Sequence, residues 1–184
     1  MSDNHHHEEN FIQKYVFSVD HKVIGLQYGV TSLLFLLFGF LLMAVMRYQL
    51  AYPETVIPYI GGWFFSESGG VMLPENYNTL GAMHGTIMIF LGVVPLAVGA
   101  FGNYLVPLQI GAPDMAFPKL NAASYWSYFV GGVIMIASFF TPEGAARSGW
   151  TSYPPLSIFE SGQTMWLLSM IFLITSSLLG SMNI

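Results

Sequence analysis

The chain has no cysteine and very little charge: 10 acidic and 5 basic side chains, 8% of its 184 residues. Without cysteine it builds no disulfide, no thiolate metal site and no iron–sulfur cluster, and its redox compartment is not readable from thiols. An average soluble domain is about a quarter charged, so this one lacks the polar exterior that water requires. The cations are also segregated. Lys14, Lys22, Lys119 and Arg147 fall outside the apolar runs, and Arg47 ends one. A formal net charge of −5 argues against nucleic acid as a partner. The first ten residues are polar and acidic, with His5, His6 and His7 in a row, and show neither the basic region nor the cleavage site of a signal peptide. A histidine run in a tail lacks the outer-shell partners that fix metal ligands, so metal binding there is disfavoured.

What the chain has instead is apolar length, 54% of its residues. A bilayer core about 30 Å thick takes roughly 20 apolar residues as helix. Four runs qualify: span one over residues 23–46, span two over 80–106, span three over 122–140 and span four over 164–184. Inside lipid every backbone N–H and C=O needs an internal partner, which makes helices the expected form, and the runs lack the period of two of barrel strands. Turn chemistry separates them at Tyr52-Pro53-Glu54, at Gly111-Ala112-Pro113-Asp114, and at Thr141-Pro142-Glu143-Gly144 with Tyr153-Pro154-Pro155. Pro95 should kink span two or leave one of its carbonyls without a partner. The predicted architecture is all-α and integral to the membrane, with a tail over 1–16 and one helical domain over 17–184, and no internal repeat. Lys14, Lys22 and Lys119 share one side and Arg147 the other, so the positive-inside rule puts the N-terminus in the cytoplasm. Trp63, Phe64, Trp150 and Tyr153 then suit an outer interfacial belt.

Ionisable groups within a membrane are costly and are functional by default. Within these four runs there is one, His84, about a turn into span two. It reads either as a packing histidine bonded to a neighbouring carbonyl or as an axial haem ligand, with Gly85 allowing a flat macrocycle close to the helix. No other run supplies a second histidine. Arg47, on the same side, either snorkels to the interface or donates to a polar substituent of a buried cofactor. Asp114, on the opposite side, reads as an N-cap or turn aspartate, or as a proton collector between the neutral amides of Asn103 and Asn121. Tyr28 and Ser124 are placed to extend such a wet path.

Several longer blocks carry a resemblance. They are His84-Gly85-Thr86-Ile87-Met88-Ile89-Phe90, Phe101-Gly102-Asn103-Tyr104-Leu105-Val106-Pro107-Leu108, and Ile110-Gly111-Ala112-Pro113-Asp114-Met115-Ala116-Phe117-Pro118. Asn121, Ser124, Tyr125 and Trp126 continue it, with Asp20-His21-Lys22 before span one and Trp150 with Tyr153-Pro154-Pro155-Leu156 later. From about residue 17 onward the chain resembles subunit I of the haem–copper respiratory oxidases. The resemblance implies the N-terminal part of a bundle of about twelve spans, and the following roles. His84 would be the first axial ligand of the low-spin haem, a haem A, and Arg47 would bond a haem substituent. Asp114 would be the mouth of a D-type proton channel lined by Asn103, Asn121, Tyr28 and Ser124. Trp150 and Tyr153 would lie near the high-spin haem and copper B, whose ligands belong to later helices. Gln49 stands where relatives with a structural cation often carry glutamate, which counts against that cation here.

The implied activity is oxidation of cytochrome c coupled to reduction of O2 to water and to proton pumping, in the bacterial inner membrane. The implied partners are the rest of subunit I, subunits II and III and the lipid bilayer. Quinol-using relatives carry histidine and glutamine where this chain has Asn76 and Thr79, which favours cytochrome c as donor. Two other classes stay open on the residues alone: a haem-bearing electron carrier without oxygen chemistry, and a helical bundle without a cofactor. An optical spectrum separates the three.

Overall fold

A computed structural model describes residues 10–142, 144–158 and 162–183. Glu143, Ile184 and the His5–His7 run of the sequence reading lie outside the described residues. Four helices long and apolar enough to cross a membrane occur at His21–Ala51, Pro74–Ile110, Pro118–Phe140 and Gln163–Ser181. These are spans one to four, and all are longer at the N-terminal end than the apolar runs predict. The reason is local. Asp20 caps span one, its carboxylate accepting from Lys22 N at 2.7 Å and Val23 N at 3.3 Å, and Pro74 and Pro118 stand in first turns where no N–H is missed. Hydropathy marks the stretch that lipid covers, whereas capping sets where the helix starts.

Span one buries His21, Tyr28, Phe35 and Leu42 at seven-residue intervals, with Gly25, Ser32, Gly39 and Met46 in a parallel row four residues on. That is the seam of a helix packing at a shallow angle on neighbours. Leu26, Leu33, Leu37 and Phe40 on its other faces are exposed, so the helix is apolar all round, as lipid requires. Span one lies along span two and against span three, and span three pairs with span four. The core between them holds Ile24, Tyr28, Phe35, Met83, Ile87, Leu91, Tyr128 and Met135. Outside the spans, the first loop folds over one end of the bundle on a small cluster of Ile57, Phe65 and Met72. Trp63, Phe64, Trp150 and Tyr153, the aromatics expected in an interfacial belt, are exposed.

Span two is irregular around Pro95. Ile87–Val93 and Pro95–Gly102 run in the wider π register, between α-helical turns on either side. In that register the N–H missing at Pro95 is lost to Phe90 O, five residues earlier, and the neighbouring Leu91 O accepts the Tyr128 hydroxyl of span three at 2.7 Å.

Candidate functional site

Two polar regions lie at different levels of the bundle. At the first, the His84 ring is half-buried between spans one and two. Its Nδ1 donates to the Gly39 carbonyl at 2.8 Å. A carbonyl only accepts, so the hydrogen sits on Nδ1 and the Nε2 lone pair is left free, the tautomer that a metal-ligating imidazole needs. Nε2 makes no hydrogen bond among the described residues. A Cβ on Gly85 would meet nothing within 4 Å, so the helix surface at the neighbouring residue is open. Gly39 is glycine for a spatial reason, since a Cβ there would lie 2.6 Å from Met88 Sδ. The residues therefore fit an axial ligand site: a fixed ring, a free nitrogen and adjoining space. Among the described residues no group of three or more His, Asp or Glu side chains is arranged to hold a metal ion.

The second region is built on Tyr28. Its hydroxyl lies 2.8 Å from Ser124 Oγ and 3.3 Å from Ser176 Oγ. Ser124 gives its hydrogen to the Ser176 carbonyl at 2.7 Å, so Ser124 Oγ accepts from Tyr28. Hydroxyls of spans one, three and four thus meet in one buried cluster. Gly99 of span two touches the Tyr28 ring, where a Cβ would come within 2.6 Å.

Asn103 is one turn beyond Gly99 and Asn121 one turn before Ser124, which sets both amides at one level, about 5 Å nearer the 2–3 turn than the cluster. Both are buried, at 5% and 1% exposure. Asn103 Oδ1 and Asn121 Nδ2 have no hydrogen-bond partner among the described residues: one buried acceptor and one buried donor, the complement that ordered water fills. Asp114 lies in the turn between spans two and three, half-buried, its Oδ1 accepting from Met115 N at 2.7 Å. It is a turn aspartate. The N-cap reading fails because span three is capped at Phe117 without a side-chain bond.

Not every expected residue joins a region. Arg47 is exposed, about 12 Å along span one from Gly39, and makes no hydrogen bond or ion pair among the described residues. Trp150 packs its ring edge-on against Phe90 at 5.6 Å, and Tyr153 is 71% exposed. Both sit on the loop before span four. Three residues that sequence reasoning leaves out do join. Ser176 belongs to the hydroxyl cluster. Asn183 accepts from Phe117 N at 2.8 Å, tying span four to the turn that carries Asp114. His21, predicted to precede span one, lies inside its first turn, buried, with Nδ1 2.8 Å from the Asn103 carbonyl. The claim that the spans hold a single ionisable residue is therefore corrected. The helix begins two residues before the apolar run, and His21 faces the core.

Comparison with known proteins matches residues 23–184 to the family model described as cytochrome C and quinol oxidase polypeptide I. The chain is 48% identical over 171 residues to the cytochrome c oxidase subunit 1 of Thermostichus vulcanus, covering 92% of this chain and 28% of the relative. It is 46% identical over 180 residues to the cytochrome c oxidase subunit 1 of Synechocystis sp., covering 97% and 30%. Against a probable cytochrome c oxidase subunit 1-alpha of Streptomyces avermitilis the identity is 40% over 178 residues, covering 95% and 28%. The chain thus spans less than a third of the length of these curated relatives. With four apolar helices and a family match over nearly its whole length, the chain belongs to the cytochrome c and quinol oxidase polypeptide I family.

Proposed function

We propose that this chain is the part of a membrane terminal oxidase's subunit I that holds one axial position of the low-spin haem and opens the cytoplasmic proton path. The observation that carries the reading is the His84–Gly39 hydrogen bond, which fixes the imidazole with Nε2 free on a helix of this family. The whole protein would oxidise cytochrome c, reduce O2 to water and pump protons. It would assemble with the rest of subunit I and with subunits II and III in the cell membrane, N-terminus in the cytoplasm.

The haem, when bound, supplies one-electron transfer, and the copper-containing centre in the remaining helices supplies oxygen chemistry. Here the residues of this chain do the rest. His84 would hold the haem iron through Nε2, and Arg47 would be available at the outer end of span one for a haem substituent. Asp114 collects protons at the mouth of the path. The unpartnered polar atoms of Asn103 and Asn121 hold water without adding charge, and Tyr28, Ser124 and Ser176 offer hydroxyls that exchange donor and acceptor roles by rotation. Trp150 and Tyr153 would cap the high-spin side from the loop. Cytochrome c is favoured over quinol by Asn76 and Thr79, which stand where quinol-using relatives carry histidine and glutamine and which line a cavity of about 600 Å³ under the first loop. The Thr79 hydroxyl is spent on Glu75 O at 2.9 Å, leaving few groups to hold a quinol's two oxygens.

The test is made in the full-length subunit within its complex. Replacing His84 by Leu should abolish the low-spin haem band, and an unchanged spectrum would refute the ligand assignment. Replacing Asp114 by Asn should slow proton uptake with both haems retained. Unchanged uptake would remove the channel assignment.

A further inference from the structure

Span two carries a second proline inside a helical turn, Pro107, which has no N–H to offer the carbonyl four residues earlier. That carbonyl belongs to Asn103. Its donor comes from another span: His21 Nδ1, at 2.8 Å. As at His84, a carbonyl acceptor fixes the hydrogen on Nδ1. His21 is 2% exposed, and its inward aim follows from the Asp20 cap, which sets the phase of the first turn of span one. A leucine would fill this space, but it would leave a buried carbonyl without a partner, which is costly.

The side chain of the same residue is constrained as well. Asn103 Nδ2 donates to Gly99 O at 2.7 Å, which leaves Oδ1 as its one unpartnered polar atom. Asn103 is thus gripped through its backbone by His21 and through its amide by Gly99, with a single acceptor held out at the level of Asn121. We propose that His21 is a positioning residue for proton entry: by supplying the hydrogen bond that Pro107 removes, it holds Asn103 so that Oδ1 stands as a fixed acceptor for water. The proposal rests on the reading of Asp114, Asn103 and Asn121 as the mouth of a proton path. It makes Pro107 and His21 one device. The proline frees a carbonyl and the histidine, from a different span, takes it, which locks the inner ends of spans one and two together at the mouth.

The experiment uses the full-length subunit in its complex, with proton uptake followed by a pH-indicator dye during a single turnover and thermal loss of the haem spectrum as a separate readout. His21→Leu should slow uptake roughly tenfold, with the haem bands unchanged. His21→Asn, whose Nδ2 can stand near the position of Nδ1, should recover most of the rate. In a Pro107→Ala background, which restores a backbone N–H to Asn103, His21→Leu should cost less than about twofold. Equal rates for His21→Leu and His21→Asn would overturn the proposal, as would an undiminished His21→Leu defect in the Pro107→Ala background. Asp114→Asn separates the two layers. If it leaves uptake unchanged, the mouth reading falls and takes the positioning role with it, while the thermal cycle between His21 and Pro107 still reports whether the clamp exists. If Asp114→Asn slows uptake and His21→Leu does not, the mouth stands and the positioning role is wrong.

Discussion

Tyr128 of span three donates its phenolic hydrogen to the carbonyl of Leu91 in span two at 2.7 Å, and Leu91 stands four residues before Pro95. The same hydroxyl lies 3.2 Å from Ser32 Oγ of span one. Since Tyr128 gives its hydrogen to Leu91, Ser32 must be the donor in that contact. One phenol therefore joins three spans at the point where span two leaves α geometry. Its ring stacks on Tyr28 at 5.2 Å and meets Phe35 edge-on at 6.0 Å.

Tyr128→Phe keeps the ring and removes only the hydroxyl. The buried Leu91 carbonyl loses a side-chain donor and Ser32 loses its acceptor. Interhelical hydrogen bonds in membranes are worth about 0.6–2 kcal/mol, so the full-length variant should lose about 1–2 kcal/mol of stability. The check is its midpoint of thermal haem loss. Ser32→Ala, which removes the other partner of this hydroxyl, should cost little more on top of Tyr128→Phe, and additive losses in the double variant would show that the two groups are not bonded.

Close approach of spans one and two sets the second prediction. A methyl group on Gly99 would fall 2.6 Å from Tyr28 Cδ1 and 2.8 Å from Cγ, the stem of a ring that is itself buried. The ring cannot swing aside without leaving Ser124. Gly99→Ala should therefore cost about 1–3 kcal/mol by overpacking and slow proton uptake as well. Gly62→Ala in the first loop is the control on local space, because its new methyl meets nothing within 4 Å. If Gly99→Ala takes up protons at the normal rate, the Tyr28–Ser124 bond is not on the path.

Much of this arrangement was legible in the sequence, and the gaps have physical causes. Four apolar runs gave four spans because lipid leaves helix as the available form. Their ends were misplaced at Asp20, Pro74 and Pro118, where capping and proline chemistry extend helices past the apolar stretch. Tyr28, Ser124, Asn103 and Asn121 were visible as polar residues in apolar surroundings. Ser176 and Asn183 carry the same signal in span four but are separated by long stretches from their partners. No local pattern links Ser176 to Tyr28, 148 residues away. His21 was hidden by its neighbours, since Asp20 and Lys22 make it look like part of a polar loop. A proline inside a helix is the clue that would have found it. It announces a free carbonyl, and a carbonyl freed in a buried span needs a donor from elsewhere in the bundle.

The ion pair between Arg147 and Glu75 gives a contrasting prediction. It spans 3.4 Å and ties the loop before span four to the first turn of span two, but its side chains are 29% and 74% exposed. Exposed pairs of this kind contribute little. Glu75→Gln should shift stability by less than about 0.5 kcal/mol, measured again by thermal haem loss. A loss above 1 kcal/mol would mean that the complete protein buries this pair.

Asp20 should matter more than any other exposed charge, because it starts the helix that carries both His21 and Tyr28. Its carboxylate serves two backbone N–H groups, and its own N–H is bonded to Ser18 Oγ at 3.1 Å. Removing such a cap costs about 1 kcal/mol, enough to fray the first turn. Asp20→Ala should thus cost that much and should also loosen the His21–Asn103 contact, slowing proton uptake although Asp20 itself lies off the path. Asp20→Asn retains a capping oxygen and should restore both stability and uptake. That comparison separates capping from charge. If Asp20→Asn is as slow as Asp20→Ala while stability recovers, the carboxylate charge acts on protons directly and the cap is incidental.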